Sequence, residues 1–189
     1  MIARGLQIFC ILALLAGGVS ADASGLAPGS VHRLVFHDVD GNDLSTADGH
    51  VTIITVITRD NENEAHAVAD KVPDRYKGDS KYRYLTLVNF QRKLFGLVQG
   101  LTRAVIRHRL EAEAKELRPD YAARKVGHDP RGDLHVIADF DGEGVQKLGL
   151  PVNGNAVTVF IFNGAGKLVA RWNGVPPGDS LAKAIVAAE

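Results

Sequence analysis

Two amides and two carboxylates alternate in the tetrapeptide Asn61-Glu62-Asn63-Glu64. The tetrapeptide follows a run of β-branched residues and precedes the alanine-rich segment 65–69, so it is predicted to lie where a strand ends and a helix begins. The positive end of a helix dipole favours carboxylates there, and Asn61, Glu62 or Glu64 could take part in acid–base chemistry. Helix capping requires the same types of side chain, so the sequence leaves both roles open.

Seven histidines raise the question of a bound zinc or copper ion, because imidazole is a common ligand of both metals. His37 and His50 could face each other across an N-terminal turn, but the sequence holds no histidine pair at i, i+4 and no tight cluster. We therefore predict surface or partly packed histidines and no metal site. The histidines are His32, His37, His50, His66, His108, His128 and His135.

Two acidic segments, 38–43 and 139–144, are similar to calcium loops, in which oxygen ligands surround a glycine. In the first segment the glycine is the fourth residue instead of the sixth, and in the second Leu150 stands where a bidentate glutamate should close the loop. Turn and helix-capping chemistry explains both segments without an ion. The sequence also lacks a Gly-x-Ser-x-Gly elbow and the spacing of a phosphate loop, so we predict no catalytic residue and no cofactor.

A long helix is predicted from about residue 92 to residue 117. Apolar residues recur at helical spacing from Leu94 to Val105, and Pro119 is expected to end the helix. The arginines of this helix could bind an anionic ligand or partner, with His108 adding pH sensitivity. A solvated amphipathic helix that packs on a sheet is the simpler alternative.

Residues 1–21 are predicted to form a secretory signal peptide. Arg4 precedes a short apolar stretch, and small residues end the segment at Ala21. The apolar stretch 8–16 is shorter than the roughly 20 residues that a bilayer-spanning helix needs. Cleavage would remove Cys10, the only cysteine in the sequence. The sequence therefore predicts a periplasmic or secreted protein, without membrane insertion after the signal is cleaved.

Lys and Arg number 22, as do Asp and Glu, so the formal net charge is zero. Whole-chain charge therefore gives no bias towards nucleic acid or anionic lipid, and no nucleic-acid partner is predicted. Residues 22–30 are small and polar with Pro and Gly, which predicts a flexible N-terminus. The remaining residues, 31–189, are enough for one domain with a real core.

This domain is predicted to be α/β with a mixed sheet. The uncharged, β-branched run 51–58 is typical of a central strand that is buried on both faces. Residues 156–162 and 168–172 flank a Gly-containing turn, which predicts a β-hairpin. The other expected elements are strands at 31–37, 82–89 and 134–139, a short helix that ends near Leu148, and a closing helix at 181–188 capped by Asp179 and Ser180.

From Val136 onwards the chain resembles the C-terminal half of secreted thioredoxin-like and redoxin proteins. The shared pattern is a strand ending in Asp139, a short helix, a strand, a turn at Gly166, a strand leading to Gly174, and a final helix. The resemblance covers roughly residues 31–189. It implies a three-layer α/β/α sandwich with a mixed sheet and a C-terminal β-hairpin plus helix.

Two departures from this family concern its redox site. The resemblance assigns segment 61–64 to the position of the family's Cys-x-x-Cys, but no sulfur is present there. The family also places a cis-proline just before the strand that faces the thiols, where this chain has Ala156. Segment 86–89 with the long insertion after it, and segment 155–159 without proline, are similar to the cysteine-less, exported YtfJ-type branch.

The resemblance implies location and fold more than function. The fold pattern without any sulfur nucleophile in the mature chain predicts an exported, redox-inactive protein that acts as a binding or accessory module in the cell envelope, where its partner would be an envelope protein. The alternative is an enzyme or metal-binding protein that uses carboxylates or histidines in place of the missing thiols. A third interpretation is a purely structural subunit, which predicts a stable partner in envelope extracts.

Overall fold

A five-stranded mixed sheet forms the centre of the computed structural model, which describes residues 26–91 and 96–189. The predicted signal peptide lies outside the described residues. The strands are β1 (Val35–His37), β2 (Asp43–Ser45), β3 (Val51–Ile57), β4 (Tyr82–Asn89), β5 (His135–Asp139), β6 (Thr158–Phe162) and β7 (Leu168–Asn173). The helices are α1 (Glu62–Ala69), α2 (Gly96–Ala123), α3 (Glu143–Lys147) and α4 (Ser180–Ala187).

The strand order in this sheet is β5-β4-β3-β6-β7. The central strand, β3, pairs parallel with β4 and antiparallel with β6, and all seven of its residues are buried. β5 extends the parallel part, and β6 and β7 form the antiparallel hairpin. These pairings confirm the predicted central strand, the mixed sheet and the C-terminal hairpin followed by a helix.

Alternate residues of β3 fill two separate hydrophobic clusters, one on each face of the sheet. Ile54 and Val56 pack with residues of α3 and of the small β1–β2 hairpin, including Phe36. Ile53 and Ile57 pack on the opposite face with residues of α1 and α4. A strand that is apolar on both faces therefore sits between two covering layers.

The N-terminal part of the domain differs from the single strand predicted at 31–37. The strand begins only at Val35, and a second strand, β2, pairs with it antiparallel. Ahead of this hairpin, residues 26–30 were predicted to be flexible. In the structure Leu26 packs against the core, and the backbone N–H of Gly29 donates to the carbonyl of Leu168 over 2.7 Å.

Pro119 does not end α2, so that prediction was wrong. The helix continues through Pro119 to Ala123, although proline removes one helical hydrogen bond. Contacts beyond the proline compensate, because the buried Tyr121 donates from its hydroxyl to Asp133 and Arg124 donates to two carbonyls of the turn before β4.

The predicted helix start, 92–95, lies outside the described residues. In the part of the chain that is described, no helix combines the length and hydropathy needed to cross a bilayer.

Candidate functional site

Segment 61–64 lies where β3 ends and α1 begins, as predicted. A short 3₁₀ turn, Arg59–Asn61, precedes α1, and Thr58 caps this turn. The side-chain oxygen of Asn61 accepts a hydrogen bond of 2.7 Å from the backbone N–H of Thr58, and the Thr58 hydroxyl accepts one from the N–H of Asp60. This reciprocal arrangement is a capping box, in which both side chains satisfy backbone donors.

The other end of the Asn61 side chain reaches a distant loop. Its Nδ2 donates to the carbonyl of Asn155 over 2.6 Å, and only 9% of the residue is exposed. Asn61 therefore joins the end of β3 to the segment before β6. Glu62, Asn63 and Glu64 are exposed, and the Glu62 carboxylate lies 3.9 Å from the equally exposed guanidinium of Arg109.

Two more amides from the end of β4 hold the same loop, which we define as residues 151–156. The Nδ2 of the buried Asn89 donates to the carbonyl of Val152 over 2.7 Å, and the Nε2 of Gln91 donates to that of Gly154 over 2.8 Å. Asn89 also accepts from the backbone N–H of Gln91. Gln91 adopts a left-handed φ of 54°, which is unfavourable for a residue with a Cβ atom.

We call Asn61, Asn89 and Gln91 the carboxamide clamp. Its three members fix carbonyl groups within the loop that precedes β6. Of the three, only Asn61 was a predicted candidate. A usable signal was present, because β3 and β4 are parallel and both are followed by amides, and the carboxyl ends of neighbouring parallel strands meet at one sheet edge.

A small cleft opens beside the clamp. Its volume is about 270 Å³, and Thr58, Asn155 and Arg171 contribute polar groups to a lining that also includes Ile57 and Pro151. This volume is slightly below the range of about 300–1,000 Å³ that is usual for small-molecule sites. The cleft is therefore suited to a side chain or a short extended segment and is too small for a large cofactor.

The two calcium-like segments use their first carboxylates to hold backbone groups. Asp139 accepts 2.9 Å hydrogen bonds from the N–H groups of Gly142 and Val145, which caps α3. Burial raises the pKa of Asp139 above its ordinary value of 3.8 and outweighs these opposing hydrogen bonds. Asp38 accepts from the N–H groups of Asp40 and Asn42. Both carboxylates therefore serve turns and caps, the alternative that the sequence analysis favoured.

Four of the histidines each contact a different carboxylate: His37, His50, His128 and His135. His37 is bonded to Asp43, and His50 to Asp48, so these two imidazoles do not share a site. His135 lies 3.3 Å from Asp38. Within residues 26–91 and 96–189, no group of three or more His, Cys, Asp or Glu side chains is arranged to hold a metal ion.

A second cavity, of about 340 Å³, lies between the β1–β2 hairpin and the middle of α2. Arg131 crosses it and bonds Asp40 over 2.6 Å and Glu111 over 3.1 Å. The charged groups at this cavity are therefore paired with each other and hold protein elements together.

Comparison with known proteins identifies the fold. No family model matches the sequence, and no curated protein sequence matches it. Among solved structures, a peroxiredoxin-like protein from Aquifex aeolicus matches with a TM-score of 0.52 at 13% identity, over 88% of this chain and 90% of that one. MTB dsbF, in its mixed oxidized and reduced forms, matches with a TM-score of 0.50 at 11% identity, over 83% of this chain and 96% of that one.

Identities this low show the fold alone. The chain therefore has a thioredoxin-like fold, which confirms the predicted fold class. Placement in the YtfJ-type branch stays a prediction.

Proposed function

We propose that the protein is an exported, redox-inactive binding or accessory module of the cell envelope. The observation that carries this proposal is that both polar ends of the Asn61 side chain are bonded to the backbone, at Thr58 and Asn155. The resemblance assigns the thiol position to the segment that begins with Asn61. A dithiol site needs two sulfurs that can exchange, and the whole sequence contains a single cysteine, Cys10.

The cleft beside the clamp supports a polypeptide as the bound partner. Its volume of about 270 Å³ suits one inserted side chain. Exposed charged residues surround the start of α1 and could contact the flanking parts of such a segment: Arg59, Asp60, Glu62 and Glu64. A rigid loop is valuable for such a role, because a preorganised site loses little conformational entropy on binding.

Redox inactivity is tested with disulfide and peroxide substrates. We expect the protein recovered from the cell envelope to show no insulin reduction with dithiothreitol and no peroxide consumption above the buffer rate. The Cys10→Ser variant is the matched control and should behave identically. Turnover of either substrate by the mature protein would contradict the proposal, whereas turnover that is lost in the Cys10→Ser variant would trace the activity to uncleaved Cys10.

Binding is tested by site-specific crosslinking in the envelope. A photo-reactive residue at position 64, which is exposed in the first turn of α1, should capture a defined protein, whereas the same residue at the exposed position 186 of α4 should not. Equal capture at both positions would argue against this site. Mass spectrometry of the recovered N-terminus tests export, because cleavage near Ala21 is expected.

The enzyme alternative makes a different prediction. If the carboxylates at the start of α1 carry out acid–base chemistry, the double variant Glu62→Gln/Glu64→Gln should lose an activity while its unfolding free energy stays unchanged. The binding proposal expects these substitutions to alter partner affinity only.

A further inference from the structure

Within the described residues, the outer face of the first half of α2 is apolar and largely exposed. Leu97, Leu101 and Val105 follow each other at intervals of four residues, so they lie on one face of the helix, and they are 80%, 62% and 56% exposed. The opposite face supplies the buried residues Leu110 and Ala114. Packing on the domain therefore leaves this apolar stripe in solvent.

The charges within the sequence segment that carries the stripe all have one sign. Between Ser80 and Leu110 the sequence contains no Asp or Glu, although the chain as a whole is neutral. Arg107 and Arg109 are exposed and, being two positions apart, lie about 200° apart around the helix axis, so they flank the stripe on both sides. Glu62, which is far from Arg109 in sequence, lies 3.9 Å from its guanidinium.

We propose that this face, defined by Leu97, Leu101, Val105, Arg107 and Arg109, binds the surface of an anionic phospholipid membrane. A helix that presents apolar side chains between flanking cations lies in the plane of the lipid headgroups, with the apolar face in the acyl boundary and the cations on the phosphates. With so few apolar residues the association would be reversible.

Charge distinguishes this occupant from a second copy of the chain. Two such faces packed together at the apolar stripe would bring arginines of both copies close to each other, whereas an anionic surface neutralises them. Leu97 and Leu101 also protrude from a helix face instead of lining a groove, which suits a soft, flat lipid surface better than a folded acidic protein.

This inference is independent of the proposed redox inactivity, because vesicle binding and thiol turnover are measured separately. The test is co-sedimentation of the full protein, as recovered from cells and with its N-terminus determined, with two vesicle types. We expect binding to vesicles of phosphatidylglycerol and phosphatidylcholine, and none to phosphatidylcholine alone. Binding should weaken as salt screens the arginines.

Matched variants separate α2 from the rest of the surface. Arg107→Gln/Arg109→Gln should weaken vesicle binding by roughly thirtyfold, and Leu101→Asp by roughly tenfold or more. The controls are Lys167→Gln/Lys183→Gln and Val186→Asp, which make the same chemical changes at exposed positions elsewhere. These controls should bind like the parent protein.

An introduced fluorophore reports the depth of the face. Tryptophan emission of Leu97→Trp, after subtraction of the parent signal from Trp172, should shift to shorter wavelength on anionic vesicles and be quenched by brominated lipid. The Val186→Trp control should show neither change.

Three results would overturn the proposal. The first is no binding to anionic vesicles at low salt, and the second is binding that Arg107→Gln/Arg109→Gln leaves unchanged, which would place the contact in another segment. The third is loss of a dimer in light scattering on Leu101→Asp, or tight binding to soluble polyglutamate without lipid binding, which would assign the face to a second copy or to an acidic protein.

Discussion

The loop 151–156 and the β1–β2 hairpin dock on the same sheet by different chemistry. Neutral amides hold the loop, since Asn61, Asn89 and Gln91 each donate to one of its carbonyls. Ionisable side chains hold the hairpin and the residues around it. The loop beside the candidate site should therefore keep its shape at any pH at which the domain is folded, whereas the docking of the hairpin should depend on pH.

Asp38 and Asp48 carry this pH dependence. Burial alone would raise the pKa of Asp38, but hydrogen bonds from Asn42, His135 and Asp40 outweigh it and hold the pKa below its ordinary value of 3.8. Burial of Asp48 is likewise outweighed by hydrogen bonds from Arg83 and His50, so its pKa is also lowered.

The largest expected effect tests the clamp. Asn61→Ala leaves the N–H of Thr58 and the carbonyl of Asn155 without their partner, so it should lower the free energy of unfolding by about 2–4 kcal/mol. Asn63→Ala, two positions along and exposed, is the matched control and should change it by less than about 0.5 kcal/mol. Urea unfolding at pH 7 measures both, and equal losses would refute the clamp.

The second prediction concerns the loop directly. Asn89→Ala frees the carbonyl of Val152 and should cost about 1–3 kcal/mol. Hydrogen exchange should also become faster in 151–156 than in the β1–β2 hairpin. Asn173→Ala, at the exposed end of β7, should alter neither quantity. If exchange instead rises evenly over the domain, Asn89 supports global stability without a particular role in the loop.

The third prediction concerns pH. Because the folded pKa of Asp38 is lowered, its contribution to stability is fully present above the unfolded value and is lost as the pH falls through the folded value. Asp38→Asn should cost about 1.5 kcal/mol at pH 7, through lost charge-assisted hydrogen bonds, and should flatten the fall in stability below pH 4. In Asn61→Ala the same pH profile should simply shift downwards. Urea midpoints from pH 7 to pH 3 distinguish the two behaviours. If the stability of Asp38→Asn fell with pH as steeply as that of the parent protein, Asp38 would not be the source of the pH dependence.

The smallest effect concerns Arg131, which joins Asp40 of the hairpin to Glu111 of α2. Arg131→Gln should cost about 0.5–1 kcal/mol at low salt and less at high salt, because ion pairs near the surface are screened. Lys183→Gln, which breaks the exposed pair with Asp179, should be close to neutral. Thermal unfolding at two salt concentrations checks both, and a salt-independent loss in Arg131→Gln would indicate a packing effect.

The sequence was sufficient to place the central strands. An uncharged, β-branched run such as β3 is stable mainly inside a sheet that is covered on both faces. The predicted strand, 51–58, therefore differs from the observed strand, Val51–Ile57, by a single residue. Strand β2 was missed because it has only three residues, Asp43–Ser45, and begins with Asp, a residue type that is depleted in strands. The end of α2 was predicted wrongly at Pro119, because contacts of Tyr121 and Arg124 stabilise the last turn of the helix. These contacts are to residues distant in sequence, and the rule that proline ends a helix considers only neighbouring residues.

The candidate site was predicted only in part. The position of Asn61 at a helix start followed from local pattern, but its bond to the carbonyl of Asn155 spans 94 residues of sequence. Asn89 and Gln91 contact the loop across 63 residues. Asn is common at strand ends because its side chain bonds to the backbone of turns. The sequence alone therefore does not show that these amides contact one loop, which depends on the strands lying side by side.

The substitution Asn61→Cys would not by itself give the protein a thiol that is ready for disulfide exchange. The thiol would be shut away from solvent at a site that is 9% exposed, while the carbonyl of Asn155 lost its donor. Such a variant would have a lower free energy of unfolding, and its buried thiol would react slowly. The hydrogen bonds of this one side chain thus oppose the introduction of a reactive thiol at this position by a single substitution.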